Sequence, residues 1–185
     1  MRVLGIAGSL RRASHNRQLL RAAADLLPPA VELEVYDGLG DLPPFNEDDE
    51  FAPGEAVERW RDAIAGADAL LFATPEYNGS IPGALKNAID WASRPARSTV
   101  LRNQPAAVIG ASTGMFGAVW AQAELRKVLS TAGARVIDRE LPVAAANEAF
   151  DAVGQLELEE HGQELASILA ELVRAAEERQ ARVAA

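Results

Sequence analysis

Residues Gly5–Leu27 read GIAGSLRRASHNRQLLRAAADLL. An apolar run, Val3–Ala7, stops at Gly8, and small, polar and basic residues follow: Ser9, Arg11, Arg12, Ser14, His15 and Asn16. Helical spacing then begins at Leu19 and Leu20 and continues through Ala23, Leu26 and Leu27. The pattern is strand, tight turn, helix. A helix N-terminus presents unpaired backbone N–H groups and about half a positive charge. Hydroxyls of Ser9 and Ser14, the amide of Asn16 and the guanidinium of Arg11 add side-chain donors, which makes an anion site suited to a phosphate monoester. The plainer alternative is a capped first helix that binds nothing. The stretch has neither G-x-G-x-x-G nor a Gly-Lys-Ser/Thr phosphate loop. One phosphate held by hydroxyls suits a mononucleotide better than a dinucleotide.

Outward from that stretch, the 185-residue chain, 49% hydrophobic, is expected to form one domain over residues 1–185. No apolar run approaches the roughly 20 residues of a membrane helix. Met1-Arg2-Val3-Leu4 leads directly into the first strand, so no signal peptide is expected and a cytoplasmic location is the default. The absence of cysteine excludes disulfides and thiol redox relays. His15 and His161 have no obvious ligand companions, so no metal site is expected. A net charge of −9 disfavours nucleic acid and anionic membranes as partners. Arg11, Arg12 and Arg17 nevertheless cluster at the first turn, a basic spot that fits a small anion.

Further along, Val31–Tyr36 alternates as an edge strand. After a long loop, Pro53 is expected to open a helix to about Ala65, with Val57, Trp60 and Ile64 on one face and Gly66 at its end. Asp68–Thr74 contains ALLFA, a run typical of a strand buried on both faces. The loop PEYNGSI, Pro75–Ile81, leads into a helix from Pro82 through Leu85, Ile89 and Trp91, which Pro95 stops. Gln104–Ala111 reads as a fourth strand, Ser112–Gly117 as a third small-residue loop, and a helix with Leu125, Val128 and Leu129 ends near Gly133. Ala134–Ile137 reads as a short fifth strand, Leu141–Ala149 as a linker, and about Glu157–Arg182 as a last helix.

Strands and helices alternating in this way imply a parallel sheet with helices on both faces. With strand order 2-1-3-4-5, strands one, three and four are neighbours. The loops at Gly8, Pro75 and Ser112 then line one crevice at the C-terminal edge of the sheet, where such folds bind ligands.

These loops resemble those of the NAD(P)H-dependent FMN reductases, the flavodoxin-like quinone, chromate and azo-dye reductases. The resemblance rests on Gly8, Ser9, Arg11, Ser14 and Asn16, on PEYNGSIPGALKNAIDW (Pro75–Trp91), and on Ser112, Gly114 and Gly117 followed by Leu125-Arg126; Phe150-Asp151, Gly154 and Leu156 match the tail. Ala118 departs from it, since many relatives carry a second glycine there. The resemblance implies an α/β, flavodoxin-like three-layer sandwich with a five-stranded parallel sheet. It assigns FMN phosphate to Ser9, Arg11, Ser14 and Asn16, the isoalloxazine ring to Pro75, Glu76, Tyr77, Asn78, Gly79 and Ser80, and the ring's polar edge to Ser112, Thr113 and Gly114. No side chain is expected to be catalytic, because hydride transfer needs only a positioned flavin. Glu76 is read as fixing loop geometry, Lys86 and Asn87 as packing or subunit contact, and Trp91 and Trp120 as core or interface.

The implied reaction has two half-reactions: NADPH or NADH reduces bound FMN, then a small-molecule acceptor (a quinone, flavin, azo dye or metal oxyanion) takes the electrons. The rival is a non-enzymatic electron carrier of the flavodoxin type, favoured by acidity and opposed by the PEYNGS loop. A homodimer or homotetramer is implied, with the Trp-bearing helices Pro82–Ala92 and Ala118–Leu129 at the contact.

Overall fold

Central strands of a parallel sheet lose water on both faces, which is why they read as unbroken apolar runs. In a computed structural model, which describes residues 1–184, the elements follow one another as β1 (Arg2–Ala7), α1 (His15–Leu26), β2 (Glu32–Val35), α2 (Glu55–Ala65), β3 (Ala69–Thr74), α3 (Gly83–Ala92), β4 (Pro105–Ala111), α4 (Val119–Thr131), β5 (Arg135–Val136), β6 (Pro142–Val143) and α5 (Glu159–Ala184). Every residue of β1, β3 and β4 except Arg2 is buried, whereas β2 alternates exposed and half-buried residues as an edge strand does. All pairings are parallel, in the order β2-β1-β3-β4-β5.

Alternation along each strand divides the core into two layers. Leu4, Ile6, Leu70, Phe72 and Val108 face α2, α3 and α4, where Val57, Trp60, Ile64, Leu85, Trp91 and Leu125 complete the packing. Val3, Ala69, Leu71, Ala107 and Ile109 face α1 and α5, meeting Leu19, Leu20, Leu165, Ile168, Leu169 and Leu172. The buried indole N–H of Trp60 donates to Ala88 O at 2.7 Å and so ties α2 to α3. Truncating so large a core residue typically costs about 3–5 kcal/mol.

Two boundaries differ from expectation. α2 starts at Glu55, because Gly54 takes the N-cap with φ +84. The fifth position in the sheet is filled by two fragments: β5 pairs with Pro105 and Ala106, and β6, within the expected linker, pairs with Gly110 and Ala111. Between them Asp138-Arg139-Glu140 leaves the sheet for ion pairs, Arg126 to Glu140 at 3.0 Å and Arg139 to Glu164 at 2.6 Å. A two-residue strand is too short to give a periodic signal. Among the described residues no helix is long and apolar enough to cross a membrane.

Candidate functional site: a crevice at the switch of strand order

The first loop begins while the chain still belongs to the sheet: Gly8 N donates to Ala73 O at 2.8 Å. A side chain there would meet Leu85 Cδ2 at 2.9 Å and Pro75 Cδ at 3.3 Å, so only glycine lets α3 and the second loop close against β1. Ser14 caps α1, its Oγ accepting from Arg17 N at 3.3 Å. Ser9 Oγ accepts from Arg11 N at 3.4 Å and lies 3.3 Å from Tyr77 Oη, which couples the first loop to the second. Among the described residues the Arg11 guanidinium has no hydrogen-bond or ion-pair partner, whereas Arg17 is paired with Asp37. His15 lies parallel to Phe150 with ring centroids 6.5 Å apart.

Asn16 has a different setting from the loop hydroxyls. Only 2% exposed, it donates through Nδ2 to Ala111 O at 2.8 Å and accepts at Oδ1 from Ala111 N at 2.9 Å. β3 stops at Thr74, opposite Gly110. Gly110 N and Ser112 N point to the other side, towards Leu141 O and Val143 O. Ala111 therefore faces the β3 side with no strand left to pair with it, and the Asn16 amide supplies the next rung of the ladder.

The second loop is a tight two-residue turn. Tyr77 N donates to Ser80 O at 2.9 Å and Ser80 N to Tyr77 O at 3.2 Å, with φ of +55 at Asn78 and +75 at Gly79. Positive φ at both central residues is the type I′ geometry that Asn-Gly favours. A Cβ on Gly79 would meet nothing within 4 Å, so the turn's outer backbone is open to a flat ligand. Two acidic side chains fasten the loop to α4. Glu76 Oε2 accepts from Ala121 N at 3.2 Å, an otherwise unpaired donor of the helix's first turn, and Ser80 Oγ donates to Glu124 Oε2 at 2.7 Å. The geometric role expected for Glu76 is the one observed. Ser80 sits at the ring loop, but its hydroxyl is occupied by Glu124. Asn87 accepts from Phe45 N at 2.7 Å and donates to Pro43 O at 2.9 Å, so it holds the long loop after β2.

The third loop is anchored by its backbone. Ser112 N donates to Val143 O at 3.0 Å, Ala146 N to Ser112 O at 3.0 Å, and Gly114 N to Ser112 Oγ at 3.1 Å. Gly117 has φ +56, and a Cβ there would lie 2.6 Å from Pro142 O and 2.7 Å from Val143 N. The next residue, Ala118, is also left-handed at φ +62, the conformation a glycine would adopt without strain. Met115 (78% exposed), Phe116 and Trp120 form an apolar rim, with Phe116 and Trp120 edge-to-face at 4.9 Å. Trp91, by contrast, is in the core.

Ser9, Arg11, Ser14, Asn16, Pro75, Glu76, Tyr77, Ser112 and Thr113 line one crevice of about 110 Å³, together with His15 and Ala111. Asn78, Gly79, Ser80 and Gly114 stand beside it on the same loops. Ala111 contributes backbone only, and nothing in its side chain could have marked it. The one carboxylate in the lining, Glu76, is turned to Ala121 N. The crevice thus offers hydroxyls, a guanidinium and helix N–H groups to an anion, which fits a flavin mononucleotide phosphate.

Sheet, strand order and crevice define a flavodoxin-like mononucleotide-binding protein. Within that class the chain belongs to the NADPH-dependent FMN reductase family, whose model matches residues 1–148. It is similar to an NAD(P)H-dependent FMN reductase of Pseudomonas aeruginosa, 48% identical over 168 residues, 89% of each chain. It is also similar to a 2-hydroxy-1,4-benzoquinone reductase of a Burkholderia species, 44% identical over 128 residues, 69% of each chain. Among solved structures it superposes on the flavoenzyme NAD(P)H:acceptor oxidoreductase FerB of Paracoccus denitrificans with a TM-score of 0.83 and 37% identity, covering 96% of this chain and 97% of that one. The protein is an oxidoreductase of a family that works with FMN and NAD(P)H.

Proposed function

We propose that the chain is an NAD(P)H:acceptor oxidoreductase that holds FMN across the three loops and serves nicotinamide and acceptor in turn at one place, in a ping-pong sequence. FMN supplies the hydride chemistry when bound. Ser9, Ser14, Arg11 and the N–H groups at the start of α1 bind the phosphate. The Tyr77–Ser80 turn, held to α4 through Glu76 and Ser80, gives the ring a rigid flat support, with backbone rather than side chain at Gly79. The N–H group of Thr113 lies on the loop assigned to the ring's polar edge, while Gly114 N is held by Ser112 Oγ. Hydride transfer requires no proton donor or acceptor from the lining, and its one carboxylate, Glu76, is turned to Ala121 N.

The observation that carries this reading is the convergence of the three loops: Ser9, Arg11 and Ser14 of the first, Pro75, Glu76 and Tyr77 of the second, and Ser112 and Thr113 of the third line one crevice. Its volume of about 110 Å³ is below the roughly 300–1,000 Å³ of a small-molecule pocket, which suits it to the phosphate end of the ligand. Quinones are the proposed acceptor class, supported by relatives named quinone reductase and 2-hydroxy-1,4-benzoquinone reductase. Flavins, azo dyes and metal oxyanions remain acceptors to assay beside them. The exposed Met115–Phe116–Trp120 rim supports a homodimer or homotetramer in which a second copy borders the site.

The test is steady-state kinetics with NADH and NADPH against benzoquinones and other acceptors. Parallel double-reciprocal lines are expected. Intersecting lines would refute the shared site. Failure of both nicotinamides to bleach the bound flavin anaerobically would return the protein to the electron-carrier class.

A further inference from the structure

At the N-terminal edge of the sheet, Arg102, Asn103, Arg135, Arg179 and Arg182 line a concavity of about 310 Å³ with, among the described residues, no carboxylate in its wall. That grouping stands out on a chain with 27 acidic and 18 basic residues. The four guanidinium groups come from three segments: Arg102 from the turn before β4, Arg135 from the first residue of β5, and Arg179 and Arg182 from the end of α5. Their backbones are pinned together. Asn103, at φ +58, donates its N–H to Gly133 O at 2.8 Å, and Arg135 N donates to Gln104 O at 2.9 Å. Gly133 takes the left-handed φ of +102 that this turn needs. Gln180 Nε2 donates to Asp68 Oδ1 at 2.8 Å and so holds the end of α5 against the start of β3.

Like charges gathered in this way repel unless something offsets them. Among the described residues only Arg182 has an ion-pair partner, Glu178 at 3.7 Å, and the charge of Arg179 also acts on the Asp68 carboxylate. Arg102 donates to Ala96 O at 3.0 Å, and the Arg135 side chain has no partner. The negative end of the α5 dipole accounts for Arg179 and Arg182, but not for Arg102 and Arg135, which lie on other elements.

We propose that this concavity is a binding site for an anion carrying two or three linked phosphate groups. Guanidinium forks match phosphate oxygens bidentately, and four forks exceed what one phosphate can engage. The volume is at the lower end of ligand sites, enough for an oligophosphate but small for a whole nucleotide, whose base would project outside. β4 runs from this edge to the flavin crevice, a separation of about 20 Å for seven residues, so the two sites are independent.

The test is calorimetric titration of FMN-loaded protein with pyrophosphate, tripolyphosphate, orthophosphate and sulfate at constant ionic strength. Saturable binding of pyrophosphate and tripolyphosphate, tighter than of orthophosphate or sulfate, is expected. Arg135→Ala with Arg179→Ala should weaken it by at least about tenfold and leave flavin content and flavin reduction unchanged. Arg59→Ala with Arg97→Ala, an equal charge change elsewhere on the surface, should leave it intact. Arg102→Gln with Arg135→Gln provides a second variant if the first does not fold. No saturable binding at millimolar oligophosphate, or equal losses in the two alanine pairs, would overturn the proposal.

Discussion

Replacing Asn16 by alanine distinguishes a ligand from a sheet component. The amide makes two hydrogen bonds to Ala111, both in the buried interior, between residues 95 apart in sequence. Without it, the N–H and C=O of Ala111 lose their partners beyond the end of β3, where Pro75 has no N–H to offer. Each buried unsatisfied group costs about 1–3 kcal/mol. The loss is therefore roughly 2–6 kcal/mol against a typical total of 5–15 kcal/mol. At about 2–4 °C per kcal/mol for a chain of this size, the melting temperature should fall by roughly 4–24 °C. Thermal and urea melting of the flavin-free protein measure this directly, with FMN titration in parallel at a temperature where the variant is folded. A variant that melts within about 2 °C of the parent while losing FMN affinity tenfold would refute the reasoning and make the amide a phosphate ligand.

Arg11→Ala should weaken FMN binding by about tenfold or more, since a hydrogen bond to a charged group is worth roughly 1.5–3 kcal/mol, with little change in melting; fluorescence-quenching titration checks it, and an unchanged dissociation constant counts against the phosphate assignment. Gly117→Ala forces a Cβ into the backbone of Pro142 and Val143 and keeps a left-handed φ, which together should cost about 2–5 kcal/mol from overpacking and backbone strain; a variant as stable as the parent in urea would contradict the observed packing of the third loop on β6. Burial pushes the Asp68 carboxyl up, but hydrogen bonds from Arg2 N and Gln180, with the charges of the N-terminus and Arg179, outweigh it and hold it below the usual carboxylate range. Its stabilising contribution is then present above the unfolded carboxyl pKa and lost as pH falls through the lower folded value. Asp68→Asn should be less stable than the parent at neutral pH, and the gap should narrow below about pH 4; a pH-independent gap in urea melting would exclude the linkage.

What could be read from the residues alone follows the range of the interactions involved. ALLFA marks β3 because burial on both faces is written into consecutive residues, and Val57, Trp60 and Ile64 mark the inner face of α2 because the helical period places them together. β6 escaped because two residues carry no period, and its partner, the end of β4, lies more than thirty residues earlier. The same limit applies to the site. Hydroxyls, amides and glycines after strand ends announce a polar crevice, and the Asn-Gly pair at 78–79 encodes its own turn. How each polar group divides between ligand and protein depends instead on where distant strands stop. Asn16 is drawn to Ala111 because β3 ends one residue short of β4, and Ser80 is drawn to Glu124 because α4 passes beneath the second loop. The four arginines at the opposite edge lie on segments without a shared motif, so only the register of β5 on β4 and the landing of α5 bring them together. Residue type therefore announces that a site exists, and unmet backbone groups nearby decide which members are left for the ligand. By that criterion we propose Ser9, Ser14 and Arg11 as the phosphate anchors and Asn16 as a strut, since its amide already bonds both backbone groups of Ala111 and so ties the first loop to the third.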